Sequence, residues 1–457
     1  MATTYLSRTP SSASNRKTWT WSGWLKRAVK SDSNNSRIFA SGTGSSDYTS
    51  WYMYAPEGTD GTLQFQNRIS GTTTSVALNR KFRDVNAWMH LVIAMDTTQA
   101  NASDRMKIYV NGVQETSFST FNPPAQNVDT WVNNNNSHTI GSSDTTGYTP
   151  RYWAGSMSHI NFVDGTALTP SSFGSTDSTT GEWKINTAPN VTYGTNGYFI
   201  LKDGNSVTDQ STNSNNWTVA GGTLTKTEDC PSNVFATLNP LDNYYANSTF
   251  SNGNTSQTSN AGAYGWVPST LGMTTGKFYA ECKQTGFSGG SNYNLIGITG
   301  SQNDASTHHL GQIAYTAGYY AQGNVYNQSG STTSTYASYT TNDIIGVALD
   351  LDNNKLYFSK NGVWQNSGDP TSGATGTGAL NITAPSAMTG ATATGVYRFA
   401  SGDYGNTVVV NNSWNFGNGY FGSTQISSAG TNASGIGIFE YDVPTGYTAL
   451  STKGLNL

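Results

Sequence analysis

Apolar residues along this chain recur at every second position far more often than at every third or fourth, the signature of strands with one buried face. Met89, Leu91, Ile93 and Met95 line one face of Trp88–Asp96. Met106, Ile108 and Val110 do the same just before Asn111-Gly112, a strong hairpin signal. Trp19–Leu25 alternates aromatic and small residues, and Ala154–Asp164 ends at the Asp164-Gly165 turn. In the second half, Ile345, Val347, Leu349 and Leu351 share a face. Asp352-Asn353-Asn354 then turns the chain, Lys355–Ser359 returns, and Asn361-Gly362 turns it again before Val363-Trp364. Lys277–Gln284, Asn294–Thr299 and Trp414–Phe416 read as further strands. No long window carries a 3.6-residue apolar period, so the pattern predicts an all-β chain with negligible helix.

The texture changes near Gly181. Tyr198–Lys202 is one good strand, expected to return to the N-terminal sheets, and after it Asn213–Trp217 and Cys230-Pro231 are polar and turn-rich. The two halves share no long repeat. Both contain a strand ending in Asp, a turn, and a Lys-[Ile/Leu]-Tyr-[Val/Phe] strand running into an Asn-Gly hairpin, at 107–113 and 355–363. Two antiparallel β-sandwiches in tandem account for that device. The expected division is a sandwich over 1–205, a connector over 206–245, a second sandwich over 246–425 and a C-terminal docking tail over 426–457.

Composition narrows the function classes. Charged side chains make up 11% of the chain, against about 25% in an ordinary soluble domain. Aromatics at 12% exclude a disordered chain. A net charge of −4 excludes the basic footprint of a nucleic-acid binder. No apolar run is long enough for a membrane-spanning helix, so no membrane insertion is expected. Met1–Asn15 has no apolar stretch of the kind a secretory leader needs, so synthesis in a cytoplasm is expected. Cys230 and Cys282 make no disulfide framework, and Cys282 shares an apolar strand face with Phe278 and Ala280, as a buried inert thiol would.

Particular stretches resemble known families. Residues 19–173 resemble a LamG-like, concanavalin A-type sandwich in the Trp88-x-His90 strand running to Asp96, the Ile108–Gly112 hairpin and the closing Gly155–Phe173. Residues 264–421 are similar to a SPRY domain in Gly276–Cys282, Ile345–Leu351 with Asp352–Phe358, Lys360–Trp364 and Trp414–Gly417. Ala236–Leu241 and Val443–Leu455 resemble segments of virion proteins of marine tailed bacteriophages. The resemblance covers most of the chain. It implies a viral structural protein, located in the virion and made in the host cytoplasm, whose partners are other virion proteins and copies of itself.

Concanavalin A-type sandwiches also house glucanases, so a hydrolase must be weighed. A retaining glycosidase needs two carboxyls about 5 Å apart, which the sandwich enzymes carry as E-x-D-x-x-E on one strand. That motif is absent: Glu57, Glu115, Glu182, Glu228, Glu281 and Glu440 are all the glutamates, and no two share a strand. Glu281 is expected on the outward strand face beside Lys283. Asp350 and Asp352 flank a turn, where Asp is favoured for turn geometry. Gly286–Gly290 fits G-x-S-x-G, but a strand rather than a helix follows, so it reads as a hairpin loop. His308-His309 has no ligand at metal spacing and reads as a solvated loop pair. No cofactor is expected. A structural calcium stays open, with Asp203, Asn205 and Asp209 as hard oxygen donors but no complete loop.

The aromatics remain. Trp131, Tyr148, Tyr152, Tyr319, Tyr320 and Tyr326 are the candidate binding residues, able to stack on sugars or anchor a protein if exposed. For Tyr319-Tyr320, in a Gly/Asn-rich stretch, core and exposure are evenly balanced, and for Trp51–Tyr54 at least one face is expected in the core. The expected function is a non-enzymatic phage virion surface protein, a tail-fibre-like binder of host receptor or glycan or a capsid decoration. The alternatives are a depolymerase acting on host surface polysaccharide and a soluble lectin. Tyr5 and Leu6 are expected to add an edge strand to the first sandwich. Ile436, Ile438, Phe439 and Tyr441 are expected to dock on the sandwiches or on a neighbouring subunit, with at least one terminus in a homo-oligomer contact.

Overall fold

The computed structural model describes residues 3–28, 36–56, 60–85, 87–143, 149–202, 206–262, 264–328, 330–405 and 407–456. The chain divides into two compact units, Met1–Lys226 and Thr227–Leu457, each dominated by antiparallel sheets.

In the first unit an eight-stranded sheet runs in the spatial order Phe118–Asn122, Thr72–Leu78, Thr62–Ile69, Asp47–Tyr54, Arg37–Gly44, His138–Ile140, Tyr5–Arg8, Thr218–Gly221. A six-stranded sheet runs Tyr198–Ile200, Gly155–Asp164, Thr18–Arg27, Trp88–Asp96, Met106–Val110, Val113–Gln114. Alternation puts Trp19, Trp21, Leu25, Ile93, Met95 and Ile108 in one core with Phe39, Trp51, Met53 and Phe65 of the other sheet. The six-stranded sheet also buries its outer face. Val92, Ala94, Tyr109, Val163 and Phe199 are covered there by Phe173 and Tyr193. Tyr5–Arg8 does not form an edge: Thr218–Gly221 pairs with it from outside, and Leu6 is buried in the core. Part of the 206–245 stretch thus belongs to the first unit's sheet, while Phe235 and Leu238 form bridges within the second.

The second unit pairs a nine-stranded sheet with a six-stranded one. The first contains Thr249–Ser251, Ser256–Thr258, Val409–Asn415, Lys277–Ser288, Ile344–Asp350, Lys355–Lys360 and Val363–Trp364 in that order. Leu380–Asn381 pairs with Lys355–Lys360, and Thr448–Ala449 with Lys277–Ser288. The other runs Gly265–Pro268, Ala393–Asp403, Asn294–Ser301, Thr316–Tyr320, Asn324–Asn327, Ser331–Thr335. The predicted meander holds, with Val347 opposite Phe358 and Leu349 opposite Leu356. Its Asn361-Gly362 turn has φ of 48° and 81°, and Asn111-Gly112 has 48° and 78°. Positive φ at both central residues lets a two-residue loop follow the strand twist. Phe278, Ala280 and Cys282 face the core, where burial pushes the Cys282 thiol well up.

The tail docks within its own unit. Phe439, Val443, Tyr447 and Ala449 cluster with Phe235, Tyr279, Ala348 and Tyr357 on the outer face of the nine-stranded sheet. The Ala236 N–H donates to the Leu450 carbonyl at 2.9 Å, and Phe235 bridges Ser451. Each unit therefore ends against its own beginning, as Tyr5 opposite Gly221 does in the first.

Candidate functional site: a tyrosine patch on the second unit

The six candidate aromatics separate. On the first unit, Trp131 is half-buried, its indole N–H donating to the Arg68 carbonyl at 3.0 Å and the Arg16 guanidinium lying 5.5 Å from its ring. Tyr152 is half-buried 6.0 Å from the ring of Tyr5. Tyr148 lies outside the described residues. On the second unit, Tyr319 and Tyr320 are not in a loop but in the strand Thr316–Tyr320. Ala317, Tyr319 and Ala321 alternate into the core, and the Tyr319 hydroxyl donates to the Ala337 carbonyl. Tyr319 is thus a core residue. The glycine that suggested a loop, Gly318, pairs with Gly297 across the sheet.

Tyr320 faces the other way and becomes the floor of an aromatic patch. Strand register assembles it: Leu295 lies opposite Tyr320 and Asn294 opposite Asp403, which brings Tyr293 and Tyr404, one residue beyond each strand, to the same sheet end. Tyr320 and Tyr404 rings are 5.6 Å apart, Tyr326 and Tyr404 5.9 Å, Tyr293 and Tyr320 6.3 Å, and Tyr264 and Tyr404 5.8 Å. Trp266, Leu295, Leu310 and Ala400 lie beneath. Tyr264, Tyr293, Tyr326 and Tyr404 are half-buried, and the hydroxyls of Tyr293, Tyr320 and Tyr404 have no protein partner among the described residues. Burial pushes the Tyr320 and Tyr326 hydroxyls up, so both stay neutral and can donate.

His309 is not solvated as expected. It is 5% exposed, its ring set edge-on 4.3 Å from Tyr404 and 4.8 Å from Tyr326. Its Nδ1 lies 3.1 Å from the Leu310 carbonyl, which only accepts, so Nδ1 carries the hydrogen. Burial lowers its pKa and keeps the ring neutral. His308 alone reaches outward, to Asp304 at 2.6 Å. The result is an uncharged surface of aromatic rings and free hydroxyls, suited to stacking on an apolar ring face while bonding hydroxyls around it.

The other chemistry resolves into structure. His90 lies 2.8 Å from the Ser22 hydroxyl, a contact with the look of a nucleophile and its base. The Trp183 indole N–H donates to His90 Nδ1 at 3.0 Å, and an indole can only donate. Nε2 therefore carries the ring hydrogen and donates to Ser22, leaving no site to accept the serine's proton. Trp24 stacks on the ring at 5.0 Å, Trp183 lies nearly parallel to it at 5.9 Å, and burial pulls the His90 pKa down to about 3. Ser288 ends the strand Lys277–Ser288, so no nucleophile elbow forms. Asp350 bonds the Asn353 N–H and pairs with Lys277, a turn role. Glu281 is on the outward strand face as expected, but the docked tail buries it completely.

Asp203 and Asn205 lie outside the described residues. Asp209 already accepts the Phe199, Ser211 and Asn215 N–H groups and the Ser211 hydroxyl, all at 2.8–2.9 Å, which leaves it no oxygen for a cation. Among the described residues no three His, Cys, Asp or Glu groups gather as a metal site.

Residues 2–174 match the sequence model of the concanavalin A-like lectin/glucanases superfamily, and residues 278–389 that of the SPRY domain. No curated protein matches by sequence. Among solved structures, the SPRY domain of human HERC1 is 18% identical, covering 39% of this chain and 96% of its own, with a TM-score of 0.30. A heptameric SAP-like pentraxin from Limulus polyphemus is 18% identical over 37% of this chain and 72% of its own, TM-score 0.26. The enzymatically active domain of bacteriophage CBA120 tailspike protein 2 is 13% identical over 36% of this chain and 25% of its own, TM-score 0.28. With strand order, core and both family matches in agreement, the chain carries a LamG-like, concanavalin A-like domain followed by a SPRY domain.

Proposed function

We propose that this protein is a non-enzymatic recognition protein of a virion surface, binding a host-surface glycan through the tyrosine patch of its second unit. The patch carries the reading: four half-buried tyrosines around Tyr320 offer ring faces, and the hydroxyls of Tyr293, Tyr320 and Tyr404 have no protein partner among the described residues. Neutral sugars present the complementary surface, apolar C–H faces rimmed by hydroxyls. The virion setting rests on the sequence resemblance of Ala236–Leu241 and Val443–Leu455, and copies of the same chain and other virion proteins are its proposed partners. The chemistry found in the first unit supports a binding role, since His90 cannot serve Ser22 as a base.

Tyr326→Ala and Tyr404→Ala test it, in binding of the full chain to purified host-surface polysaccharide by calorimetry. A central anchor in a recognition surface is worth about 2 kcal/mol or more, so each variant should weaken binding roughly thirtyfold with the fold intact. Unchanged binding in both variants removes the patch from the function. Shortening of the polysaccharide by the wild-type chain would make the protein a depolymerase instead.

A further inference from the structure

Between the two sheets of the first unit lies a cavity of about 10 Å³, room for one water-sized occupant. Strand parity brings a charge to it. Leu6 is a core residue, and Arg8, two positions on in the same strand, lines the cavity beside its cross-strand partner His138. Tyr198 closes the cavity from the six-stranded sheet, and Trp217 from the approach to the strand Thr218–Gly221, their rings edge-on at 5.1 Å. Phe39, Val132 and Phe162 supply apolar walls.

The polar groups left over at this cavity are donors. Tyr198 is 3% exposed and Trp217 2%, and neither the Tyr198 hydroxyl nor the Trp217 indole N–H has a partner among the described residues. Arg8 donates to the Asn196 carbonyl at 3.3 Å and to the Asn215 side-chain oxygen, both neutral. No carboxylate among the described residues forms an ion pair with it. His138 has nothing to add, since its Nδ1 donates to the Asn136 carbonyl at 2.8 Å and its Nε2 accepts the Asn133 N–H at 3.1 Å.

Two carboxylates stand near, and both are spent. Asp209, whose charge acts on Arg8 and Tyr198, already holds four donors from its own loop. Asp164 accepts the Ser14 hydroxyl, the Asn133 side-chain amide and the Asn196 N–H. Neither lines the cavity. What faces it is a guanidinium without a close counter-ion and two buried N–H and O–H donors without an acceptor, a set that an anion satisfies at once.

We propose that this cavity is a halide site, in which one chloride is held by the Arg8 guanidinium, the Tyr198 hydroxyl and the Trp217 indole N–H. A spherical anion accepts from all three and brings no hydrogen that needs an acceptor. Water fits the volume but sets no charge against Arg8, and phosphate or a carboxylate is too large. The three donors sit on or beside Tyr5–Arg8, Tyr198–Ile200 and Thr218–Gly221, segments remote in sequence. The ion is therefore a clasp on the closure of the first unit.

Thermal unfolding of the full chain tests this, with chloride exchanged for gluconate at constant ionic strength, since gluconate is too large for the cavity. Each tenfold rise in chloride above its dissociation constant should raise the midpoint of the first unit by about 4 °C and leave the second unit where it is. Tyr198→Phe keeps the ring and removes one donor. A hydroxyl with nothing to bond is lost at no cost, so the variant should match the wild type in gluconate and lose at least half of the chloride shift. Bromide is the crystallographic probe, and its anomalous peak should lie in contact with the Tyr198 hydroxyl, the Trp217 indole nitrogen and the Arg8 guanidinium. Should Tyr198→Phe fail to fold, the wild-type shift and the bromide peak decide. A midpoint indifferent to chloride, a shift undiminished in Tyr198→Phe, or only a water at that place in bromide-grown crystals overturns the proposal. None of these outcomes bears on glycan binding at the tyrosine patch.

Discussion

At the scale of single residues, Trp51 shows how alternation and burial translate into stability. Its ring stacks on Phe39 at 4.3 Å, meets Trp21 edge-on at 5.5 Å and lies 5.9 Å from Trp19. Trp51→Ala should destabilise the first unit by about 3–5 kcal/mol in denaturant titration. Its neighbour Tyr52 points the opposite way, under the Arg37 guanidinium 3.8 Å from its ring. Tyr54 is 41% exposed, and Tyr54→Ala should stay within about 0.5 kcal/mol of wild type. These facings were readable because strand parity is local information. Tyr319 shows the same rule obscured: Gly318 disguised a strand as a loop, although Ala317, Tyr319 and Ala321 keep the two-residue period. Tyr293 and Tyr404 gave no local signal at all. They meet Tyr320 only through the register of three strands distant in the chain.

At the scale of elements, the hairpins were legible and the long-range closures were not. Asn-Gly turns mark themselves, whereas nothing near Tyr5 announces that Val219 will lie opposite Leu6. The consequence is testable. Tyr5–Arg8 is flanked by strands on both sides, Arg8 bonds the Asn196 carbonyl and Asn215, and the Ser14 hydroxyl bonds Asp164. Removal of Met1–Asn15 strips Thr218–Gly221 of its partner and opens the core at Leu6. It should lower the unfolding midpoint of the first unit, where loss of an edge strand would have left that unit nearly intact. The same reasoning explains Glu281: its outward parity was correct, but the cover comes from residues far along the chain.

At the scale of the whole molecule, the two units should respond to pH in opposite directions. In the first, burial holds His90 at about 3 and His138 at about 4, below the ordinary 6.5. Unfolding takes up protons there, so this stabilisation is present above about pH 6.5 and is lost as pH falls through the folded values. In the second, burial raises Glu281 and Asp403 to about 7 from 4.5 and 3.8. Folding takes up protons there, so that contribution is full below about pH 4 and is lost as pH rises through 7. Calorimetry of the full chain should resolve two transitions, with the second unit gaining on the first at pH 5 and losing ground at pH 8. Transitions that move together with pH would contradict the assignment.

The closure of each unit on its own beginning also sets a timetable for synthesis. Tyr5 leaves the ribosome early but finds Gly221 only after the whole first unit has emerged. At the roughly 5–20 residues per second of translation, that is a wait of about ten to forty seconds. Phe235 waits as long for Ser451. During the first of those intervals the nascent first unit carries Tyr5–Arg8 as an open sheet edge. Such edges are where identical chains pair wrongly. The short, uncharged strand Thr218–Gly221 then covers Tyr5–Arg8 and becomes the sheet's edge itself, so the edge left after synthesis is only four residues long.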